Sequence, residues 1–236
     1  KVTITNGFEI KKGFTYLFPL QAKIVLDNAM YVRSSTKSSF GRLFLNIRLL
    51  GDFTQSFDEI IAENTPSKPL ALWLLIQPLA FNVIVHPGVA CNQLRFFKGY
   101  DCHLPASEIA RQCTLNPLLY NKTANAHTPS KPIITDGLLI HLDLSGENQA
   151  GIVGLRARSN PIPIDVLKIG EYNTLDYFEP LYPSADKSVR ILRGEHYLFA
   201  SKETLKFPSH LSGELKAHSH VGINGPTHFA GFIDSG

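Results

Sequence analysis

Gly13-Phe14-Thr15-Tyr16-Leu17-Phe18 and Gly194-Glu195-His196-Tyr197-Leu198-Phe199 carry one pattern, a glycine feeding a short aromatic strand. The offset that lays Gly13 on Gly194 also lays Tyr16 on Tyr197, Leu17 on Leu198, Phe18 on Phe199, Ser38 on Ser219 and Gly41 on Gly222. It spans Phe8 to Gly41 and Val189 to Gly222, and Phe57-Asp58 finds a counterpart in Ile233-Asp234 after a shift of five residues. One offset shared by one succession of strand, turn and strand marks a duplicated β domain. The chemistry of the two copies differs, because Lys37, Ser39 and Arg42 are met by His218, His220 and Ile223. A cationic cluster therefore belongs to the first copy alone.

The remainder of the first half predicts an all-β fold. Short runs of branched and aromatic residues lie between Gly, Pro, Asn and Asp: Phe14–Phe18, Lys23–Leu26, Leu43–Leu50, Leu70–Ile76, Phe81–Val85 and Gln93–Phe97. One helix is expected at Ala106–Cys113, after Pro105 and with Ser107 and Glu108 in its first turn. From Asn116 to Gly137 the chain is polar and carries Pro117, Pro129 and Pro132. The domains are accordingly expected at 1–114 and 133–236, with a linker at 115–132. The pentapeptide Thr-Pro-Ser-Lys-Pro at 65–69 and 128–132 reads as shared loop composition. Leu138, Ile140, Leu142 and Leu144 fall on one face of an alternating stretch and Leu139, His141 and Asp143 on the other, which predicts a strand of the second block. Leu17, Ile24, Leu43, Leu74 and Val85 are expected inside one barrel, and Leu142, Ile152, Leu198 and Leu205 inside the other.

Composition narrows the function. The 236 residues can form two modest domains, and a hydrophobic fraction of 44% supports a sizeable core. A net charge of +3 lacks the basic footprint of a duplex nucleic-acid binder. Cys91, Cys102 and Cys113 are odd in number and form no C-x-x-C pair, which argues against a disulfide framework and for a reducing cytoplasm. The longest apolar candidate, Pro69 to Val85, is interrupted by Gln77, Pro78 and Asn82, so no membrane span is expected. The chain opens at Lys1 without an initiating Met or a leader pattern and closes at Gly236 in what reads as a turn. Both ends of the natural protein, and the C-terminal part of the second barrel, are expected to lie outside these residues.

Lys37-Ser38-Ser39-Phe40-Gly41-Arg42 packs two cations and two hydroxyls ahead of a strand, a combination suited to a phosphate-bearing ligand. Arg offers a planar fork of donors, Lys a point charge, and the serines short hydroxyls. Competing chemistries lack their residues: there is no H-x-E with P-C-x-x-C for a zinc deaminase, and no P-loop or dinucleotide glycine motif. Five of the nine histidines fall between His196 and His228, and His218 alternates with His220. Without a carboxylate or cysteine partner at ligand spacing, no metal is assigned to them. Trp73, Phe96, Phe97 and Tyr100 are read as core.

Taken together, these segments resemble the dCTP deaminase family, a branch of the dUTPase-like trimeric β-barrel proteins, in its long form with two tandem barrels. Gly13-Phe14 and its strand resemble the family's H-P-G-E-x-x-L-A segment, Lys37 to Leu43 its R-S-S-x-x-R-L loop, and Phe57-Asp58 its I-D pair. Thr174 to Leu181 and Glu195 to Ser201 resemble the long form. The resemblance implies a hydrolase converting dCTP to dUTP and ammonia with no metal at the reacting carbon, at a site between neighbouring barrels. It implies catalytic roles for Ser38 and Arg42, and nucleotide contacts for Lys37, Ser39, Asp58 and Gln93. It implies no cofactor held by protein ligands, Mg²⁺ arriving on the triphosphate, and a homo-oligomer of homotrimer type with no nucleic-acid or membrane partner. The family's general-base Glu aligns with Leu75, which cannot move a proton. The base must then come from elsewhere, or the copy is a degenerate nucleotide-binding or scaffolding paralogue. A dUTP diphosphatase on the same fold is a further alternative, with Asp52 or Asp58 as its water-activating carboxylate.

Overall fold

The fold was obtained as a computed structural model, which describes residues 4–62, 68–99, 102–123, 126–147, 150–159, 162–216 and 231–233. It divides into two compact units. The first comprises Lys1–Asp101, Ser159–Asn173 and Thr227–Phe232, and the second Cys102–Arg158, Thr174–Pro226 and Ile233–Gly236. Strands dominate both.

The first unit contains β1 (Phe8–Ile10), β2 (Tyr16–Ile24), β3 (Met30–Thr36), helical turn α1 (Ser38–Gly41), β4 (Leu45–Gly51), β5 (Glu59–Ile61), β6 (Leu70–Pro78), β7 (Val83–Val85) and β8 (Asn92–Lys98). In one three-stranded sheet β6 is central, between β2 and β4; in another β3 is central, between β5 and β8. Phe14–Phe18 and Lys23–Leu26, expected as two strands, form the single strand β2, whose pairing to β6 shifts register between Pro19 and Lys23. Burial in β6 alternates strictly, so Leu70, Leu72, Leu74 and Ile76 face inward with Ile47 and Leu49 of β4. Val32 and Ile60 close the core from the other sheet. Thr36, also buried, donates its hydroxyl to the Ile47 carbonyl at 3.2 Å and so ties β3 to β4.

The second unit contains α2 (Ala106–Leu115), β9 (Leu119–Thr123), β10 (Ala126–Pro129), β11 (Gly154–Ala157), α3 (Thr174–Tyr177), β13 (Phe178–Leu181), β14 (Tyr197–Phe199) and β15 (Glu203–Leu205). The two-residue strand β12 (Ile164–Asp165) lies between β11 and α3 in sequence but joins the first unit, where it pairs in parallel with β7. Residues 115–132, read as a linker, hold the hairpin β9–β10, to which β15 is added. Leu118, Leu119, Val153, Ala157, Tyr177 and Phe178 are the main buried apolar residues of this unit.

The sequence repeat has a physical counterpart in the two glycine–aromatic segments. Gly13 and Gly194 adopt φ of 86° and 80°, a conformation that side chains rarely tolerate. The Tyr16 hydroxyl accepts the Lys11 N–H at 2.9 Å, and the Tyr197 hydroxyl accepts the Leu192 N–H at 2.9 Å. Tyr16 stacks on Phe18 with centroids 6.3 Å apart, and Tyr197 on Phe199 at 6.1 Å. These contacts occupy equivalent places under the repeat offset. Ser219 and Gly222 lie outside the described residues.

Several core expectations are corrected. Leu17 is 56% exposed, because the register sets it opposite Leu75 on the outward face while Phe18 stands opposite the buried Leu74. Leu142 is likewise 56% exposed. The alternating stretch 138–144 forms no strand, only isolated bridges from Leu138 to Ile134 and from Leu142 to Ser201. Backbone bonds join Asp143 N–H to the Ala200 carbonyl at 3.0 Å and Lys202 N–H to the His141 carbonyl at 2.8 Å, while the Glu203 carboxylate accepts the His141 N–H at 2.9 Å, so the pairing stays confined to a few residues. Leu43, Val85, Ile152, Leu198 and Leu205 are half-buried, whereas Ile24 is buried.

The two faces of the β2–β6 pair yield a direct comparison. Leu74→Ala is expected to lower unfolding stability by about 2–5 kcal/mol. Leu17→Ala should stay within about 0.5 kcal/mol, as surface changes do. Urea titration of both variants decides it, and a larger loss for Leu17→Ala would invert the assigned register.

Candidate functional site

The α1 turn is held from within and displays its polar groups outward. Lys37 is extended (φ −61°, ψ 141°), and its carbonyl then accepts the Phe40 and Gly41 N–H groups at 2.9 and 3.0 Å. Phe40 and Gly41 are buried, while Ser38, Ser39 and Arg42 are exposed. Behind the turn, the Lys37 N–H donates to the Cys91 carbonyl at 3.1 Å, and Phe44 packs on Phe81 with ring centroids 6.0 Å apart. Phe44 itself sits at φ 56° and is buried, which reverses the chain into β4. A four-residue helix contributes little dipole, so any anion affinity here rests on the side chains of Lys37, Ser38, Ser39 and Arg42. Burial pushes the Cys91 thiol up, against the opposing charge of the half-buried Lys37.

The other two sequence-derived positions flank β3. Gln93 lies opposite Ser35 in the β3–β8 ladder and donates from Nε2 to the Ser35 Oγ at 3.1 Å. Its backbone N–H donates to Asn92 Oδ1 at 2.7 Å, and the buried Ser34 donates to the same oxygen at 2.9 Å. Asp58 lies on the other side of β3, where its carbonyl accepts the Ser34 N–H at 2.8 Å. Its carboxylate accepts the Leu49 N–H at 2.7 Å and forms an ion pair with Arg48. Burial pushes the Asp58 carboxyl up in spite of the Leu49 bond and the Arg48 charge. Lys37, Ser38, Ser39 and Arg42 thus share one turn. Gln93 and Asp58 border the strand that leads into it, with side-chain bonds directed to Ser35, Leu49 and Arg48.

Leu75 occupies the outward face of β6, half-buried between Leu17 of β2 and Arg48 of β4. Two positions along that face, the Trp73 indole N–H donates to Asp52 Oδ1 at 2.9 Å. Asp52 and Asp58 are therefore both engaged in internal bonds. Arg48, whose guanidinium also lies 5.3 Å from the Phe57 ring centroid, was not singled out from sequence. Its signal was the alternation Leu45, Ile47, Leu49, which turns Arg48 outward. Ser35 and Cys91 carried no local signal, since only the β3–β8 pairing and the Lys37 bond bring them to the turn.

His218, His220, His228 and Tyr100, weighed from sequence, lie outside the described residues. Among the described residues, no group of three or more His, Cys, Asp or Glu side chains is gathered as a metal site. No helix among them is long and apolar enough to cross a membrane.

Comparison with known proteins meets this geometry from both halves of the chain. Residues 1–100 match the family model "2'-deoxycytidine 5'-triphosphate deaminase (DCD) N-terminal domain". Residues 114–236 match the model "2'-deoxycytidine 5'-triphosphate deaminase (DCD), C-terminal domain". A comparison with curated proteins finds no match. Among solved structures, the chain is similar to 2'-deoxycytidine 5'-triphosphate deaminase from Agrobacterium tumefaciens, with a TM-score of 0.88 and 28% sequence identity. The alignment covers 100% of this chain and 65% of that one, so the chain spans about two thirds of the length of the protein it matches. The all-β, dUTPase-like fold expected from the sequence is the fold shared with that enzyme. With both halves matched in order, the chain belongs to the 2'-deoxycytidine 5'-triphosphate deaminase family.

Proposed function

We propose that the protein acts in the hydrolytic deamination of dCTP, in which water replaces the cytosine 4-amino group to give dUTP and ammonia. The observation that carries the reading is the α1 turn. Inside a chain of this family, it presents Ser38, Ser39 and Arg42 to solvent beside Lys37 on a rigidly anchored support. In this reading Ser38 and Arg42 orient the attacking water and its base, and Lys37 and Ser39 contact the phosphates. Gln93 contacts the nucleotide from β8, and Asp58 does so beside Arg48, with which its carboxylate is already paired. Mg²⁺ belongs to the triphosphate and needs no ligand from the protein. The protein works as a cytoplasmic homo-oligomer with trimer-type barrel contacts.

General-base chemistry needs a group that takes a proton from water and returns it to the leaving amine. At the position aligned with the family's Glu, the first unit has Leu75, flanked by Leu17 and Arg48. The base in this reading is a glutamate from outside the first unit. A second reading, in which the first unit holds a nucleotide without converting it, is favoured by the same residue. The dUTP diphosphatase reading is weakened by the bonds that already occupy Asp52 and Asp58.

Arg42→Ala is expected to weaken dCTP binding by about 1.5–3 kcal/mol, roughly ten- to hundredfold in Kd, by removing a charge-assisted donor set. Calorimetric titration measures it, and an unchanged Kd would remove Arg42 from the site.

Because a positioned general base is worth about 10²–10⁴-fold in rate, the 236-residue chain should release little ammonia from dCTP, and Leu75→Glu should raise that release. Substantial release by the unaltered chain would show that the alignment of Leu75 with the base is wrong.

A further inference from the structure

The segment Ser159–Asn173 leaves the second sequence block, joins the first unit and returns. Its foothold is small. The two residues of β12 pair in parallel with β7, Ile164 opposite Val83 and Asp165 opposite Ile84. Backbone bonds reach across, among them Ile164 N–H to the Asn82 carbonyl at 3.0 Å and Val166 N–H to the Ile84 carbonyl at 3.2 Å. Ile164 is buried, but Ile162, Leu167 and Ile169 are exposed, Ile169 by 89%. So little apolar burial and so short a ladder place this segment at the low end of local stability.

One side-chain contact stands out against that foothold. His86, the residue after β7, brings Nε2 to 2.8 Å from Asp165 Oδ1, with both side chains about four-fifths buried. The same oxygen accepts the Leu167 N–H at 3.0 Å, and the Asp165 N–H donates to the Tyr172 hydroxyl at 2.7 Å. Asp165 is thus bonded to residues on both sides of the segment's turn and to the strand beneath it. The Leu167 N–H, and after it the His86 ring, hold its carboxyl below the ordinary carboxylate range despite burial. Room for the imidazole depends on Gly7, because a Cβ there would lie 2.9 Å from His86 Cε1 and 2.6 Å from Ile84 Cγ2. The ring is therefore caged between the approach to β1 and the carboxylate of β12.

We propose that residues 162–173 form a strap closed on β7 by the His86–Asp165 contact, able to open as a local unit while the rest of the first unit stays folded. Its opening uncovers the outer edge of β7, whose other edge pairs with β1. The inference is independent of the nucleotide chemistry.

Amide hydrogen exchange tests it on the full chain, with Ile164 and Val166 as strap probes and Leu72 and Leu74 of β6 as references. His86→Ala and Asp165→Asn are each expected to lower protection at Ile164 and Val166 about tenfold or more, the loss of a charge-assisted bond. The double variant should do no more than the worse single one, and β6 protection should hold. Unchanged strap protection, or losses that add in the double variant, would overturn the latch. Should the variants fail to fold, the wild type suffices. Strap amides should exchange with little dependence on low urea while β6 amides follow global unfolding, and a shared urea dependence would overturn the proposal.

Discussion

Strand β6 can send only every second side chain inward, and the first unit is arranged around that limit. With Leu70, Leu72, Leu74 and Ile76 inside, its neighbours must align Ile47 and Leu49 from one side and Phe18 and Ile24 from the other. A slip of one residue would send the inner row to solvent and draw Trp73, Leu75 and Gln77 into the core. Leu75 is therefore fixed on an outward row with Leu17 and Arg48. Polar bonds finish the same row at its end, where Asn46 donates to Gln77 at 2.9 Å and Gln77 donates to Thr15 at 2.9 Å.

The second constraint is the satisfaction of polar groups around β3. Ser34 and Thr36 face inward in a strand whose ends must deliver the α1 turn, and Asn92 and the Ile47 carbonyl meet their hydroxyls. Asp58 supports the strand from the other side at a φ of 62°, a left-handed conformation that side chains other than Gly adopt at a cost. Its carbonyl, N–H and carboxylate are all bonded, to Ser34 and to Leu49. That set of bonds is what over-determines the conformation. The candidate site inherits its rigidity from these contacts, since its own turn holds only a few internal bonds.

What could be read from the residues followed local rules. The duplicated Gly–aromatic segments, the strands of the first half, the helix after Pro105 and the polar turn at Lys37 each announce themselves within a few residues. What could not be read depended on partners far along the chain. Whether Leu17 faces in or out is decided by its pairing with Leu75. Alternation at 138–144 suggested a strand, yet the stretch pairs with residues 200–202 only through the Leu142–Ser201 bridge, and the His141 N–H goes to the Glu203 carboxylate instead of to a neighbouring carbonyl. Asp58 and Gln93 were legible as candidates, but their bonds to Arg48 and Ser35 were not, because opposing strands bring those residues in. The two residues of β12 gave no periodic signal at all, and only contact with β7 reveals them.

Trp73 is the only tryptophan of the chain. Its indole, half-buried and bonded to Asp52, sits on the outward row two positions from Leu75. Intrinsic emission excited at the tryptophan band therefore originates from one known point on the molecule, with no second fluorophore of its kind to blur it. A shift in its wavelength or accessibility to a quencher reads the polarity of that row directly. The protein carries, on the outward row of β6 beside Leu75, its own optical probe of whatever comes to cover it.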